Sequence, residues 1–512
     1  MTANVADKII QATRTSVPLI GVSTHDPNEW LPHLQAEGRW ENPHKIKPAN
    51  LILWDVVRGF TGYPDDLNAS AWAEGKKNSA SAGGLINGLK DVPGESLVVI
   101  LNAHHLLLAA PFKQALINYR DPYSSSARSI VLCAPLFRSP VELRHDIVVF
   151  DHPLPSEEEI AESLASRAWL QSGRGRKEAK SLESDQVTTL ARRMRGMGQF
   201  EAEQVTSMAV SVQDGRLEID NDLIIEHSRS MIEACRGIKL HRAKETFNDI
   251  AGLEELKRVG SQLFRQDQEA PIRVVVFIDE FEKMMAGSDD GRSSDNTGVA
   301  QGFNMRLLTE LEQQRYRGLI LFGPPGTGKS LYAQTLGNTY GIPTILFNLK
   351  AMLQKELGES EQNLESALRV ISSLAGPRGA LFIAAVNSQV NISPEMRRRF
   401  GLGIYMVDLP GPAQRKQLWT IHRRQFGVAE QDMPKDLDWS GSDVRNCCDL
   451  ANMLGITLLE AADKIVPTKV SDPDVITSLR DAADNRYLSS EVPGRYHIGG
   501  RQSSRKRERE IR

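Results

Sequence analysis

Short apolar runs closed by breakers recur along this chain, with helical stretches between them. In residues 1–165 the runs are VPLIGVS, LILWDVV, SLVVILNA and SIVLCAP. Runs this short and this apolar predict buried strands, and the amphipathic stretches between them predict covering helices. A parallel α/β layer is therefore expected. Residues 166–242 change character. Apolar positions fall at helical spacing in SDQVTTLARRMRGM, as in the preceding EEEIAESLASRAWLQS, which predicts a helical lid-like segment and linker. A second alternation of strands and helices fills 243–415. A further helical lid follows over 416–498, and a charged tail closes the chain over 499–512.

The second alternation carries the clearest chemistry. LILFGPPGTGKS, Leu319 to Ser330, fits G-x-x-x-x-G-K-[ST] at every fixed position, between an apolar run and a helical pattern. Gly323, Gly326 and Gly328 permit the tight turns that aim backbone N–H groups at phosphate oxygens, and the helix start adds positive potential. Pro324, Pro325, Thr327 and Leu331 complete the nucleotide-contacting stretch. Lys329 is expected to reach the terminal phosphates, and Ser330 to ligate Mg²⁺.

RVVVFIDEFEKM, Arg273 to Met284, is an apolar strand ending in an acidic pair. Beside a phosphate loop, Asp279 would hold Mg²⁺ and Glu280 would act as general base on the attacking water. LFIAAVNS ends in Asn387, an amide suited to the γ-phosphate and the attacking water. PEMRRRFG places arginines on a helix end. Arg399, with Arg398 as second choice, is expected to stabilise charge on a phosphoryl group held by a neighbouring subunit, which implies a ring.

Two stretches match each other in order and polarity. Ser129–Ile160 and Ala380–Lys416 both run apolar strand, short loop, S-P-x-x-[LM]-R, second strand, L-P and helix start. We read an internal repeat whose first copy is degenerate. The acidic strand's counterpart there is VVILNAHH, with Asn102 and Ala103 in the carboxylate positions, so the first module should not hydrolyse nucleotide. SAGGLINGLK lacks phosphate-loop spacing.

With these motifs in hand, residues 246–498 resemble a AAA+ ATPase of the AAA family. The N-terminal half resembles uncharacterised AAA-domain proteins of plastid genomes and cyanobacteria. The implied fold is α/β: a P-loop AAA+ parallel sheet with rearranged element order plus a helical lid, preceded by a degenerate AAA-like α/β module with its own helical segment. The resemblance implies Mg²⁺-dependent ATP hydrolysis with the roles given above. It also implies that Asp249 and Ile250, in TFNDIAGLEELKR, line the adenine pocket. SGSDVR resembles the start of the lid helix that senses nucleotide, which offers Arg445 to phosphate.

This chain departs from the family in two respects. The acidic strand stands before the phosphate loop, so one strand–helix unit, about 273–314, lies upstream of its usual place. Its junctions, near Ala270, Arg315 and Gly376, fall before strands and therefore opposite the catalytic edge, leaving every catalytic loop whole. The pore segment KELGES has Glu356 where peptide-threading members usually carry an aromatic, with Leu357 and Gly358 after it. The polar AGSDDGRSSDNTGVAQG, Ala286 to Gly302, is expected to be the second pore-facing loop.

Composition narrows the setting. With 40% hydrophobic and 25% charged residues over 512 positions, the profile is that of a soluble globular chain of several domains. A formal net charge of −3 gives no general pull toward nucleic acid or acidic membrane, so neither is expected as a partner. RGRKEAK and the tail RQSSRKREREIR read as solvated charge. The four cysteines form no C-x-x-C pair, and no signal-peptide pattern or membrane span is found. A reduced, cytoplasmic setting is expected, a plastid stroma or a virus-infected cell being compatible too. The leading reading is a hexameric ATPase ring acting on an unknown protein client. An ATP-gated assembly protein with slow turnover and a nucleic-acid-dependent ATPase are the alternatives.

Overall fold

The fold comes from a computed structural model that describes residues 5–24, 26–34, 50–63, 67–76, 79–172, 184–213, 216–241, 245–265, 271–282, 297–352, 357–376, 379–388 and 392–499. Arg174–Lys180, Ala270, Glu356 and the tail 500–512 lie outside the described residues, as does most of the Ala286–Gly302 loop. The chain divides into two compact units, Met1–Ile224 and Ile225–Arg512.

In the first unit β1 (Leu19–Ser23), β2 (Asn50–Asp55), β3 (Gly59–Gly62), β4 (Ser96–Ile100), β5 (Ser129–Ala134) and β6 (Val148–Asp151) lie in the order β3-β2-β4-β5-β1-β6. Only the β2–β3 pairing in this sheet is antiparallel. β1, β4 and β5 are buried at every position, as strands covered on both faces must be. Alternate residues feed two cores. Ile52, Val98 and Ile130 join one, while Leu51, Val99 and Val131 join the other with Val5 and Ile9 of the helix Val5–Arg14.

The second unit holds β9 (Ile238–Leu240), β10 (Val274–Ile278), β11 (Arg317–Phe322), β12 (Thr344–Phe347), β13 (Ala380–Val386), β14 (Ile404–Met406) and β15 (Leu488–Ser489). Their order is β15-β14-β11-β13-β10-β12-β9, with β9 antiparallel to β12 and the other pairings parallel. The two sheets correspond position by position: β6-β1-β5-β4-β2-β3 beside β14-β11-β13-β10-β12-β9. The chain reaches the equivalent strands differently. β4 is made after β2 and before β5, whereas β10 is made before β11. The repeat strands β5 and β6 flank β1, as β13 and β14 flank β11.

Several sequence expectations shift. Residues 166–242 are not wholly a helical lid and linker. The helices Ser184–Arg193 and Gln199–Ala209 lead into an antiparallel hairpin of β7 (Val210–Gln213) and β8 (Arg216–Ile219), and β9 joins the second sheet. Alternating polarity in VSVQDGRLEI favours that hairpin over helix. The lid's first helix, Pro412–Phe426, starts ahead of residue 416, because Pro412 suits a first helical turn. Within 416–498, β15 returns to the core sheet. Thr297–Gly302, expected as loop, opens the helix Thr297–Gln313. The degenerate acidic positions move by one residue. Ile100 and Ile278 both end their strands, and Asn102 (φ 52°) and Glu280 (φ 51°) share a left-handed backbone. The counterparts of Asp279 and Glu280 are therefore Leu101 and Asn102, not Asn102 and Ala103.

The lid packs its own core. Trp419, Trp439, Val444, Cys447 and Cys448 are buried together, and the helix Gly441–Leu454 starts with a Ser440–Asp443 capping box. All four cysteines are free thiols.

Candidate functional site

Three strand ends converge on one edge of the second sheet. β11 runs into the Gly323–Ser330 loop, β13 ends one residue before Asn387, and β10 ends one residue before Asp279. β13 lies between the other two, and all three run parallel, so their carboxyl ends share an edge.

Lys329 is buried at the start of the helix Lys329–Thr339. Its Nζ donates to the carbonyls of Gly323 at 2.8 Å and Pro324 at 2.6 Å. Burial pulls its pKa down to about 8, against the opposing pull of the Asp279 and Glu282 carboxylates. The ammonium thus lies folded on its own loop, where phosphate oxygens could replace the two carbonyls. Thr327 Oγ1 donates to Pro324 O at 2.9 Å and braces the turn.

Ser330 Oγ donates to Asp279 Oδ2 at 3.3 Å. The other oxygen of Asp279 accepts the Glu280 N–H at 2.8 Å, which fixes the carboxylate's orientation. A serine hydroxyl and an exposed carboxylate are hard oxygen donors of the kind Mg²⁺ takes, so the residues present fit that ion. Glu280 is half-buried on a left-handed backbone. Asn102 shares that conformation without a carboxylate, so the turn belongs to the strand end rather than to catalysis. Asn387 is half-buried between the loop and the acidic pair, and the Gly323 N–H donates to the carbonyl just before it, Val386 O, at 3.2 Å.

Two loop glycines are required by space as well as backbone. A Cβ on Gly323 (φ 154°) would stand 2.1 Å from the Val407 carbonyl oxygen. One on Gly326 (φ 78°) would stand 2.8 Å from the hydroxyls of Ser440 and Ser442. Ser442 N–H also donates to Gly326 O at 3.2 Å, so the lid helix starts against the loop. Pro325 is exposed at the loop's crest, and Leu331 packs partly buried beneath it. Arg445 is exposed on the lid helix, near enough to His422 to lower that imidazole's pKa further after burial has lowered it.

Asp249 and Ile250 sit at the short turn Phe247–Asp249. Asp249 Oδ2 accepts the Thr246 N–H at 2.9 Å in a capping box, so this carboxylate is engaged by its own turn. Ile250 is buried beside the β11 face of the sheet. Arg398 and Arg399 lie elsewhere. They end the helix Pro394–Arg399 beside Arg317 and Gly318, at the amino end of β11. Arg399 Nη1 pairs with the Glu312 carboxylate. At a strand rise of about 3.3 Å, the length of β11 sets these arginines about 17 Å from their own loop.

The first unit's equivalent edge cannot serve the same chemistry. Asp26 and Glu29 follow β1, where the second unit has its phosphate loop. Burial raises the Glu29 pKa, and its Oε2 lies 3.6 Å from His152 Nδ1. Carboxylates there would repel phosphate.

The sequence reading missed Glu282 beside Lys329, Glu312 on Arg399, the two lid serines, and Glu491, whose Oε1 accepts the Leu253 N–H at 2.8 Å. Each acts across a wide gap in the chain, through a contact that no local pattern records.

Comparison with known proteins finds matches in both units. Residues 5–152 match the family described as "SpoVK-like AAA ATPase, N-terminal domain". Residues 319–398 match "ATPase family associated with various cellular activities (AAA)", a span that leaves Asp279 and Glu280 outside it. The chain is 21% identical over 464 residues to the "Uncharacterized AAA domain-containing protein ycf46" of Trieres chinensis, covering 82% of this chain and 81% of the relative. It is 21% identical to the protein of the same description from Guillardia theta, over 63% of this chain and 54% of that one. It is 28% identical over 222 residues to the "Cell division cycle protein 48 homolog" of Archaeoglobus fulgidus, spanning 32% of this chain and 30% of that protein.

Proposed function

We propose, from the premise that the chain is a AAA+ ATPase, that it hydrolyses ATP with Mg²⁺ in a hexameric ring and spends the cycle on remodelling or assembling a protein partner. The carrying observation is the contact of Ser330 with Asp279. Ser330 and Asp279 would hold the ion, which when bound offsets charge on the β- and γ-phosphates. The N–H groups of the Gly323–Ser330 loop cradle phosphate, and Lys329 exchanges its two carbonyl partners for phosphate oxygens. Glu280 takes the proton of the attacking water, and Asn387 orients that water. Ile250 packs on the adenine side, and Arg445 approaches from the lid.

Arg399, with Arg398 beside it, serves the neighbouring subunit's nucleotide. The distance to its own loop supports that reading. We read the unit 273–314 as transposed within the domain, which the matching strand orders of the two sheets support. The first module serves as scaffold or adaptor. The segment with Glu356 favours, as second reading, an ATP-gated assembly protein with slow turnover. Among the described residues no helix is long and apolar enough to cross a membrane, and the cytoplasm or a plastid stroma is the proposed setting.

Steady-state ATP hydrolysis of the wild type, Glu280→Gln and Lys329→Ala tests the chemistry. Turnover should fall about 100-fold or more in both, with ATP binding kept only in Glu280→Gln. Unchanged turnover in Glu280→Gln overturns the base assignment. Particle images with ATP should show closed rings, and monomers throughout would defeat the ring.

A further inference from the structure

The helix Glu254–Leu263, which follows the adenine-side turn, begins without a side-chain cap of its own. Its N-cap residue is Leu253, apolar and left-handed at φ 57°, directly after Gly252 at φ 70°. The first N–H groups of a helix have no acceptor within it. Here the far end of the chain supplies them. Leu253 N–H donates to Glu491 Oε1 at 2.8 Å, across 238 residues. Glu255 and Leu256 N–H both donate to the Ser490 carbonyl, at 3.0 and 3.3 Å. A carboxylate and a carbonyl are the groups that the positive end of a helix favours.

Glu491 also reaches the lid. Gln414, on the helix Pro412–Phe426, donates Nε2 to Glu491 Oε2 at 3.4 Å. One carboxylate therefore holds the turn 249–253 with one oxygen and the lid with the other. The fit is close: an added Cβ on Gly252 would stand 2.7 Å from Glu491 Oε1 and 2.9 Å from Gln414 Cγ.

The capping segment is tied to the same strand that steadies the phosphate loop. Ser490 N–H donates to Met406 O at 3.2 Å. The next residue, Val407, donates its N–H to Phe322 O at 2.8 Å, and its carbonyl lies against Gly323. Two consecutive residues thus set the turn and the loop in register with each other. Lys257 completes the link, its Nζ donating to Ile250 O at 2.9 Å, so that the helix start fixes Ile250.

We propose that Glu491 is a positioning residue for nucleotide binding, holding the turn 249–253 in the shape that receives the base while the lid is docked, which rests on the reading of Ile250 as the adenine side. A left-handed leucine is unfavourable by itself, so without the carboxylate the turn relaxes toward other shapes. Apparent affinity then falls by the fraction of time that the binding shape is held.

Steady-state ATP turnover of the full chain tests this, with thermal melting as the check on folding. Glu491→Ala should raise KM about tenfold, as for a turn that keeps its shape about a tenth of the time, with kcat within about twofold of the parent. Glu491→Gln, whose amide oxygen still accepts the Leu253 N–H, should bring KM back to within about threefold of the parent. Gln414→Leu keeps the lid helix and removes only the donor to Glu491. It should raise KM about threefold, and it gives the reading if Glu491→Ala does not fold. Unchanged KM in Glu491→Ala, or in Gln414→Leu where Glu491→Ala is unfolded, overturns the proposal. So does a fall in kcat as large as the rise in KM, or a Glu491→Gln chain no better than Glu491→Ala. Ile250→Ala separates this from the reading beneath it. A KM raised by Ile250→Ala but not by Glu491→Ala removes the positioning role alone; a KM unchanged in both removes the adenine-side reading as well.

Discussion

Ser330 Oγ and Asp279 Oδ2 are 3.3 Å apart across 51 residues of chain, with the carboxylate made first. Their meeting requires β10 to enter the sheet beside β13, one strand removed from β11. A carboxylate at that strand end, with its second oxygen pinned by the Glu280 N–H, has one free side to offer a cation. Asp279→Asn and Ser330→Ala should each lower kcat about 100-fold or more with little change in melting temperature, since Asp279 is exposed and Ser330 half-buried. Mg²⁺ titration of turnover checks this; wild-type Mg²⁺ dependence in Asp279→Asn would rule out the metal role.

ATP affinity should weaken above pH 8. The free Lys329 ammonium loses its proton near about 8 because burial disfavours the charge. Bound phosphate restores the proton, so binding takes one up at higher pH. The dissociation constant at pH 9 should be about tenfold that at pH 7. Fluorescent-nucleotide titration of Glu280→Gln reads it, and Lys329→Arg should flatten the profile because a guanidinium does not titrate there.

Gly323→Ala should be worse than Gly328→Ala. Both glycines have positive φ, but an added Cβ meets the Val407 carbonyl at 2.1 Å in the first case and nothing within 4 Å in the second. Gly328→Ala therefore bears backbone strain alone, about 1–2 kcal/mol. Gly323→Ala adds a collision, and its loss by chemical denaturation should be clearly greater. Equal losses would mean that the loop shifts freely away from Val407.

Arg399→Ala and Lys329→Ala chains should each be nearly inactive alone and regain turnover when mixed. In a mixed assembly an intact loop faces an intact arginine across an interface. Absence of recovery at every mixing ratio, with assembly preserved, would place Arg399 outside the reaction.

Moving residues 273–314 to a position between 376 and 380 should preserve the fold. The junctions lie close together: the Arg273 N–H donates to Gly379 O at 2.7 Å, and an added Cβ on Gly376 would stand 3.4 Å from Arg273 Nη1. With short Gly/Ser joints, turnover should stay within about threefold, since loop closure changes by only about 0.6 kcal/mol per doubling of length. An unfolded or inactive product would show that the native order is needed for folding.

The amino-acid sequence by itself determined the phosphate loop, the acidic strand end and the Asn387 strand, because each is contiguous and announces itself by local pattern. It also shows that β10 precedes β11 along the chain. Tertiary structure decided what depends on register and closure. The acidic counterparts in the first module are Leu101 and Asn102 because the two strands end at Ile100 and Ile278 and the same left-handed turn follows each, at Asn102 and Glu280. β9 belongs to the second sheet because its hydrogen-bond partner, β12, lies far along the chain. Glu312 meets Arg399, and Ser442 meets Gly326, through contacts that no local pattern encodes. Hydrophobic periodicity acts over one element and reports the face it buries. The groups that face one another across elements are chosen only when the sheet closes and brings distant strand ends to one edge.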